Sequence, residues 1–298
     1  MNTPARGWLI PAPLLVFGGV LSVQFGGALA ATMVPQIGAG GAVLLRLVFA
    51  AVVLVVLARP RLGGYSARDW LTVAAFGIAL GSMNWAFYGA LAHLPIGVAV
   101  TVEFCGPLLL AASMSRRLLD SFAVLVAASG VVLTSNALVA PLADLSWVGL
   151  GLAALAGGFW AAYILLSART GAIFEGLDGL AIALVVATLL VLPAGLGSAH
   201  LWTTEHIFKG VGLAMLSSLV PYSFELLALR RMPARVFGVL LSTEPAVAAI
   251  AGLLVLGQRL SALQVVGLAL VVLASGLVLG AARPDQVAPE EAGLIEGS

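Results

Sequence analysis

Residues 82–111 read SMNWAFYGALAHLPIGVAVTVEFCGPLLLA, and residues 220–249 read VPYSFELLALRRMPARVFGVLLSTEPAVAA. At an offset of 138, Ala90 meets Ala228, Leu91 meets Leu229, Pro95 meets Pro233, Val98 meets Val236, Pro107 meets Pro245 and Ala111 meets Ala249. Each stretch is a pair of apolar runs separated by a proline, where a helix stops or kinks. Further on, Ala128-Ser129-Gly130-Val131-Val132-Leu133 resembles Ala274-Ser275-Gly276-Leu277-Val278-Leu279 at an offset of 146, so the second copy carries extra residues before its last run. The chain reads as one unit written twice.

Working outward, 61% hydrophobic against 9% charged residues is far from a soluble domain's roughly 45–50% and 25%. The few charges cannot cover so much apolar surface in water, so lipid is the expected solvent. A span needs about 20 residues to cross a hydrocarbon core of roughly 30 Å. Ten segments qualify, at about 13–33, 40–58, 70–92, 95–114, 119–138, 147–168, 177–197, 208–229, 235–256 and 261–281, with boundaries good to several residues. Pro35, Arg59-Pro60, Pro95, Pro141, Pro193 and Pro233 are the expected breaks. The expected fold is an all-α polytopic membrane protein, with ten transmembrane helices as two inverted five-helix repeats. The first repeat covers 1–140 and the second 141–282, followed by a disordered, solvated cytoplasmic tail over 283–298. Arg6 and Ala28-Leu29-Ala30 imitate a signal peptide, but the first run exceeds a typical signal h-region and is expected to be retained.

Cytoplasmic loops of membrane proteins accumulate Lys and Arg. Counting loops alternately from a cytoplasmic N-terminus puts Arg6, Arg59, Arg61, Arg68, Arg116, Arg117, Arg169, Arg230, Arg231, Arg235 and Arg283 inside, and Lys209 and Arg259 outside. Both termini are therefore expected in the cytoplasm. Five helices per half is an odd number, so the two halves enter the membrane in opposite directions, the construction of many secondary transporters. A formal net charge of +1 gives no reason to expect nucleic acid. One cysteine, Cys105, rules out an intramolecular disulfide, and the three histidines show no ligand spacing. No metal site and no cofactor are expected.

Ionisable residues inside spans are costly and mark function, each at about 2.5 to 3.5 kcal/mol on insertion scales. They are Arg46, Glu103, Glu225 and Glu244. Glu103 lies eight residues past Pro95, or about 12 Å, and Glu244 nine past Arg235, or about 13 Å, so both approach the midplane. Glu225 is five residues before Arg230, roughly 7 to 8 Å, and serves the site or pairs locally with Arg230 or Arg231. Arg46 binds a substrate carboxylate or neutralises Glu103 or Glu244; the ion pair is the expected arrangement, because an unpaired buried charge is so costly. Pro107 frees the carbonyl of Glu103, and Pro245 that of Leu241; such interrupted helices either expose backbone to cargo or are packing kinks.

Gln24, Asn84, Trp85, Tyr88, Trp160, Tyr163, Tyr222 and Ser242 are the polar and aromatic residues placed to line a cavity. Asn84 and Tyr88 share a helical face. Gln24 corresponds to Tyr163 at an offset of 139, each following a glycine pair. Trp8, Tyr65, Trp70, Trp147 and Trp202 near span ends read as an interfacial belt. Gly77/Gly81 and Gly276/Gly280 have the spacing that lets helices pack closely.

Ser82-Met83-Asn84-Trp85-Ala86-Phe87-Tyr88, Leu94-Pro95-Ile96-Gly97-Val98-Ala99-Val100 and Glu103-Phe104-Cys105-Gly106-Pro107 together carry a family likeness. So do Pro221-Tyr222-Ser223-Phe224-Glu225, Arg235-Val236-Phe237-Gly238-Val239-Leu240 and Glu244-Pro245-Ala246. The chain resembles, over nearly its whole length, the threonine and homoserine exporter branch of the drug/metabolite transporter superfamily, with its EamA-type repeats. That resemblance implies a bacterial inner-membrane exporter of small amino acids. The residues themselves suggest a mechanism in which Glu103 or Glu244 meets the substrate ammonium, Arg46 or an exposed helix terminus meets its carboxylate, and a proton moves inward in exchange. An exporter of other metabolites or drugs is the alternative within the superfamily, because cargo diverges more readily than fold. A membrane-embedded enzyme is disfavoured, since no aspartates cluster to hold magnesium around a phosphate.

Overall fold

The computed structural model describes residues 10–94, 96–115, 118–134, 146–244, 246–247 and 261–281. Arg6, Trp8, Pro95, Arg116, Arg117, Pro141, Pro245, Arg259 and the tail from Arg283 lie outside the described residues. Among the described residues the regular elements are helices. α1 covers Ala12–Ala58, α2 Ala67–Leu91, α3 Ile96–Met114, α4 Leu118–Thr134 and α5 Trp147–Ile173. α6 covers Asp178–Leu196, α7 Thr204–Ala214, α8 Val220–Leu229, α9 Ala234–Leu241 and α10 Ala262–Ala281.

Two adjustments map these onto the expected spans. α1 holds the first two spans, which part at Gly38, and α7 and α8 form a single span through the π-turn Met215–Leu219. Five helices are long and apolar enough to cross a membrane, and shorter apolar helices occupy the first, fourth, fifth and tenth ranges. Of the ninth range the structure describes α9 and the residues just after it.

The expected break at Pro35 falls instead at Gly38. Pro35 stays helical because its locked φ suits a helix even without its N–H. Reversal comes at Gly38, whose φ of 72° and ψ of 165° fall where a side chain would clash and glycine does not. Pro193 likewise sits within α6. Arg59 and Pro233 do mark boundaries, as the C-cap of α1 and the N-cap of α9.

α2 packs against α5 and α6; the spans of α1 pack against α6, α7 and α8; α3 lies on α5 and α9; α4 pairs with α10. Gly77 and Gly81 give α2 its close approach to Ala183 and Ala187 of α6. The second glycine pair behaves otherwise. Gly276 faces open space, and the surroundings of Gly280 lie outside the described residues. α10 turns Gly267 to its neighbour instead: a Cβ there would sit 2.8 Å from the Gly130 carbonyl of α4. Leu57, Leu71, Leu109, Leu125, Leu189 and Phe208 point outward and exposed, the surface a lipid-solvated bundle presents.

The two ends of the bundle differ in charge. At one end Arg61 pairs with Glu175 at 3.3 Å and its backbone N–H donates to Asp178. Arg231 donates to the carbonyl of Ile10, and Arg235 faces the buried Asp120 at 3.9 Å. Arg230 donates to the carbonyls of Gly171 and Phe174, at 2.7 and 2.6 Å, and so caps the last turn of α5. The opposite end holds the Gly38 reversal, the Glu205–Lys209 pair and His206, whose Nε2 meets Gln36 at 2.8 Å. Arg230→Ala is expected to cost about 2 kcal/mol, the scale for a hydrogen bond to a charged group. Arg230→Lys should recover only part of it, since one ammonium lacks the planar fork. Thermal melting of the purified chain reads both, and a wild-type melting point for the alanine variant would refute the cap.

Candidate functional site

Arg46 lies in the second span, eight residues past Gly38, and is only 6% exposed. Its guanidinium donates to Oδ1 of Asn84 on α2 and, at 3.0 Å, to the hydroxyl of Tyr222 on α8. Asn84 completes the triangle: its amide donates to the Tyr222 hydroxyl at 3.1 Å and to the Leu80 carbonyl at 2.8 Å. Three helices from distant parts of the chain are thus tied at one buried point. Burying so many polar groups is tolerable only because each finds a partner. The guanidinium Nε is the exception, buried with no hydrogen-bond partner.

Aromatic packing continues the network. Tyr163 of α5, fully buried, lies 5.7 Å from the Tyr222 ring and 5.4 Å from that of Phe76. Its hydroxyl donates to the Glu225 carboxylate at 2.7 Å. Glu225 follows Tyr222 by three residues on α8, so both share a face. Arg46, Asn84, Tyr222, Tyr163 and Glu225 therefore form one connected set of buried polar side chains.

Glu103 on α3 is buried, and Glu244 follows the end of α9. Glu244 lies within electrostatic range of both Glu103 and Glu225. α3 carries Glu103 against α5 through an unusually close backbone approach. A Cβ on Gly106 would fall 1.9 Å from the Gly157 carbonyl oxygen, and one on Gly157 would fall 2.6 Å from that of Glu103. The carbonyl that Pro107 frees thus rests on the backbone of Gly157, while α3 stays helical through the proline. Phe104 packs edge-on to Trp160 at 4.7 Å, which fixes the rotation of α3.

One expected pairing is corrected, and one open alternative is decided. Arg46 is held by the neutral Asn84 of α2 and Tyr222 of α8, and among the described residues it makes no ion pair with Glu103 or Glu244. Glu225 is held by Tyr163 rather than by Arg230 or Arg231. Those arginines lie beyond the last turn of α8 and reach other segments' carbonyls.

The remaining candidates fall at the margin. Tyr88 lines a cavity of about 260 Å³ with Trp85 and Val43, near the end of the bundle opposite the arginines. Gln24 is half-buried, on the face continued from the buried Val16 and Val20. Ser242 is buried and turned back to the Val239 carbonyl. Pro245 lies outside the described residues. Sequence reasoning missed the Asp120–Arg235 contact and the His206–Gln36 link. A lone acid in the first turn of an apolar helix was the available sign of the former; nothing in sequence pointed to the latter.

With this geometry in hand, comparison with known proteins places the chain. The model of the EamA-like transporter family matches residues 147–280, which hold Tyr163, Tyr222, Glu225 and Glu244. The chain is 36% identical over 287 residues to the threonine/homoserine exporter RhtA of Salmonella typhimurium strain LT2, covering 94% of this chain and 95% of that one. It is 38% identical over 274 residues to the threonine/homoserine exporter RhtA of Escherichia coli strain K12, covering 90% of each. A solved crystal structure only 19% identical superposes with a TM-score of 0.71 over 89% of this chain and 95% of its own, a likeness of fold alone. On identity of that level along nearly its whole length, this chain belongs to the EamA-like transporter family and groups there with the threonine/homoserine exporters.

Proposed function

We propose that the protein exports small amino acids of the threonine and homoserine kind from the bacterial cytoplasm across the inner membrane, in exchange for protons. The observation that carries this reading is the buried polar set inside the helix bundle: Arg46, Asn84, Tyr222, Tyr163 and Glu225, with Glu103 and Glu244 beside it. Intramembrane ionisable groups are costly, and transporters place their substrate and ion sites near the midplane. The 36 to 38% identity to threonine/homoserine exporters supports the cargo. A carboxylate that holds either a substrate ammonium or a proton, never both, links the two fluxes. Glu103 and Glu244 are the carboxylates for that exchange.

The same reading makes 1–140 and 141–282 two inverted halves with both termini cytoplasmic. Asn84 and Tyr222, which bond to each other, stand at the repeat offset of 138. The packing is reciprocal too: the third span on the sixth answers the eighth on the first, while α3 on α9 and α4 on α10 are contacts of equivalent elements. The arginine-rich end is the cytoplasmic one by the positive-inside rule.

Reconstituted protein given labelled threonine or homoserine under an imposed pH gradient tests the proposal. Uptake should follow the gradient; uptake indifferent to it would sink proton coupling, and no uptake of either amino acid would sink the cargo.

A further inference from the structure

Arg46 has more donor capacity than its surroundings use. One nitrogen serves Asn84 and Tyr222, both neutral, while Nε is buried and unpartnered. Among the described residues no ion pair engages Arg46. An arginine fork suits a carboxylate bidentately, and a buried cation without an anion is costly.

Empty space lies one helical turn away. The cavity of about 260 Å³ is bordered by Val43, one turn from Arg46 on the same helix, and by Tyr88, one turn from Asn84. The cavity therefore ends about one helical turn from the knot. At ~30 Å³ per water, its volume matches about nine waters, against about eight non-hydrogen atoms in threonine or homoserine.

We propose that Arg46 is the carboxylate-binding residue of the transport cycle. The substrate carboxylate enters from this cavity and takes the unpartnered Nε side of the guanidinium, with Asn84 and Tyr222 as positioning residues that hold the fork in place. Trp85 and Tyr88 wall the route to the end opposite the arginines. The substrate class is then small monocarboxylates, with the ammonium read separately. This assignment rests on the exporter reading for its cargo but is tested apart from transport.

The test is binding to the purified full chain in detergent, read by melting shift, with three probes. Threonine carries both charges, N-acetylthreonine keeps only the carboxylate, and threoninol keeps only the ammonium. Threonine and N-acetylthreonine should stabilise the protein, and threoninol should not at equal concentration. Arg46→Gln should weaken N-acetylthreonine at least about 30-fold, with Arg46→Lys recovering part of the loss. Tyr222→Phe and Asn84→Ala, which release the fork without removing it, should each weaken N-acetylthreonine about 3- to 10-fold and decide the matter if Arg46→Gln does not fold. Threoninol binding as tightly as threonine would overturn the assignment. So would neither carboxylate probe binding the wild type, or N-acetylthreonine binding unchanged in the folded variants. Carboxylate binding without threonine or homoserine transport would defeat the exporter reading and leave Arg46 standing.

Discussion

Gly106→Ala is expected to destabilise the fold by about 3 kcal/mol or more. The added methyl would stand 1.9 Å from the Gly157 carbonyl oxygen and 2.3 Å from its carbon. These are backbone atoms, so no side chain can swing aside, and α3 must back away from α5. Overpacking a tight contact costs about 1–3 kcal/mol and sometimes more, out of a total stability of roughly 5–15 kcal/mol. Between helices in lipid, close packing is itself a main source of association, so a lost approach is not recovered by hydrophobic burial elsewhere. The displacement also carries the site, because Glu103 precedes Gly106 by less than a turn and Trp160 and Tyr163 follow Gly157 on α5. Size-exclusion profile and melting temperature in detergent measure the effect. Gly158→Ala, where the new methyl meets nothing within 4 Å, should behave as wild type. A Gly106→Ala protein that elutes and melts like wild type would show that the α3–α5 contact is looser than described.

Glu103→Gln is expected to do the reverse, preserving the fold while abolishing transport. Glutamine keeps the shape and the acceptor of the side chain but removes the charge, and Glu103 has no cation paired with it among the described residues. An uncompensated intramembrane carboxylate opposes stability, so the variant should melt no lower than wild type. On the proposed mechanism it can neither pair with a substrate ammonium nor trade that ammonium for a proton. Losing one partner of a buried charge pair costs about 2–5 kcal/mol, which converts to a fall in transport of about 1.5 to 3.5 orders of magnitude. Glu244→Gln should act alike. Counterflow of labelled threonine beside a melting curve separates the two effects. Wild-type transport by Glu103→Gln would remove this carboxylate from the mechanism.

Much of the helix layout was readable from the chain, because crossing a hydrocarbon core needs about 20 apolar residues and each such run declares itself. Arg46, Glu103, Glu225 and Glu244 stood out for the same reason, as charges where charge is expensive. Their partners did not. Arg46 bonds to Asn84, 38 positions away, and to Tyr222, 176 away. Glu225 bonds to Tyr163, 62 positions back, in preference to the arginines next in sequence. Gly38 rather than Pro35 turns the chain, since a proline's φ is compatible with a helix while a reversal needs a backbone conformation that glycine alone takes without strain.

Sequence by itself determined that this is a helical membrane protein, how many apolar runs it has, and which ionisable residues fall within those runs. Tertiary structure decided which of those residues meet, and that Gly106 and Gly157 bring α3 onto α5. The physical reason lies in the solvent. A soluble helix shows its inward face as an apolar stripe, but a helix in lipid is apolar all round. Its rotation is then set only by how side chains interlock with their neighbours.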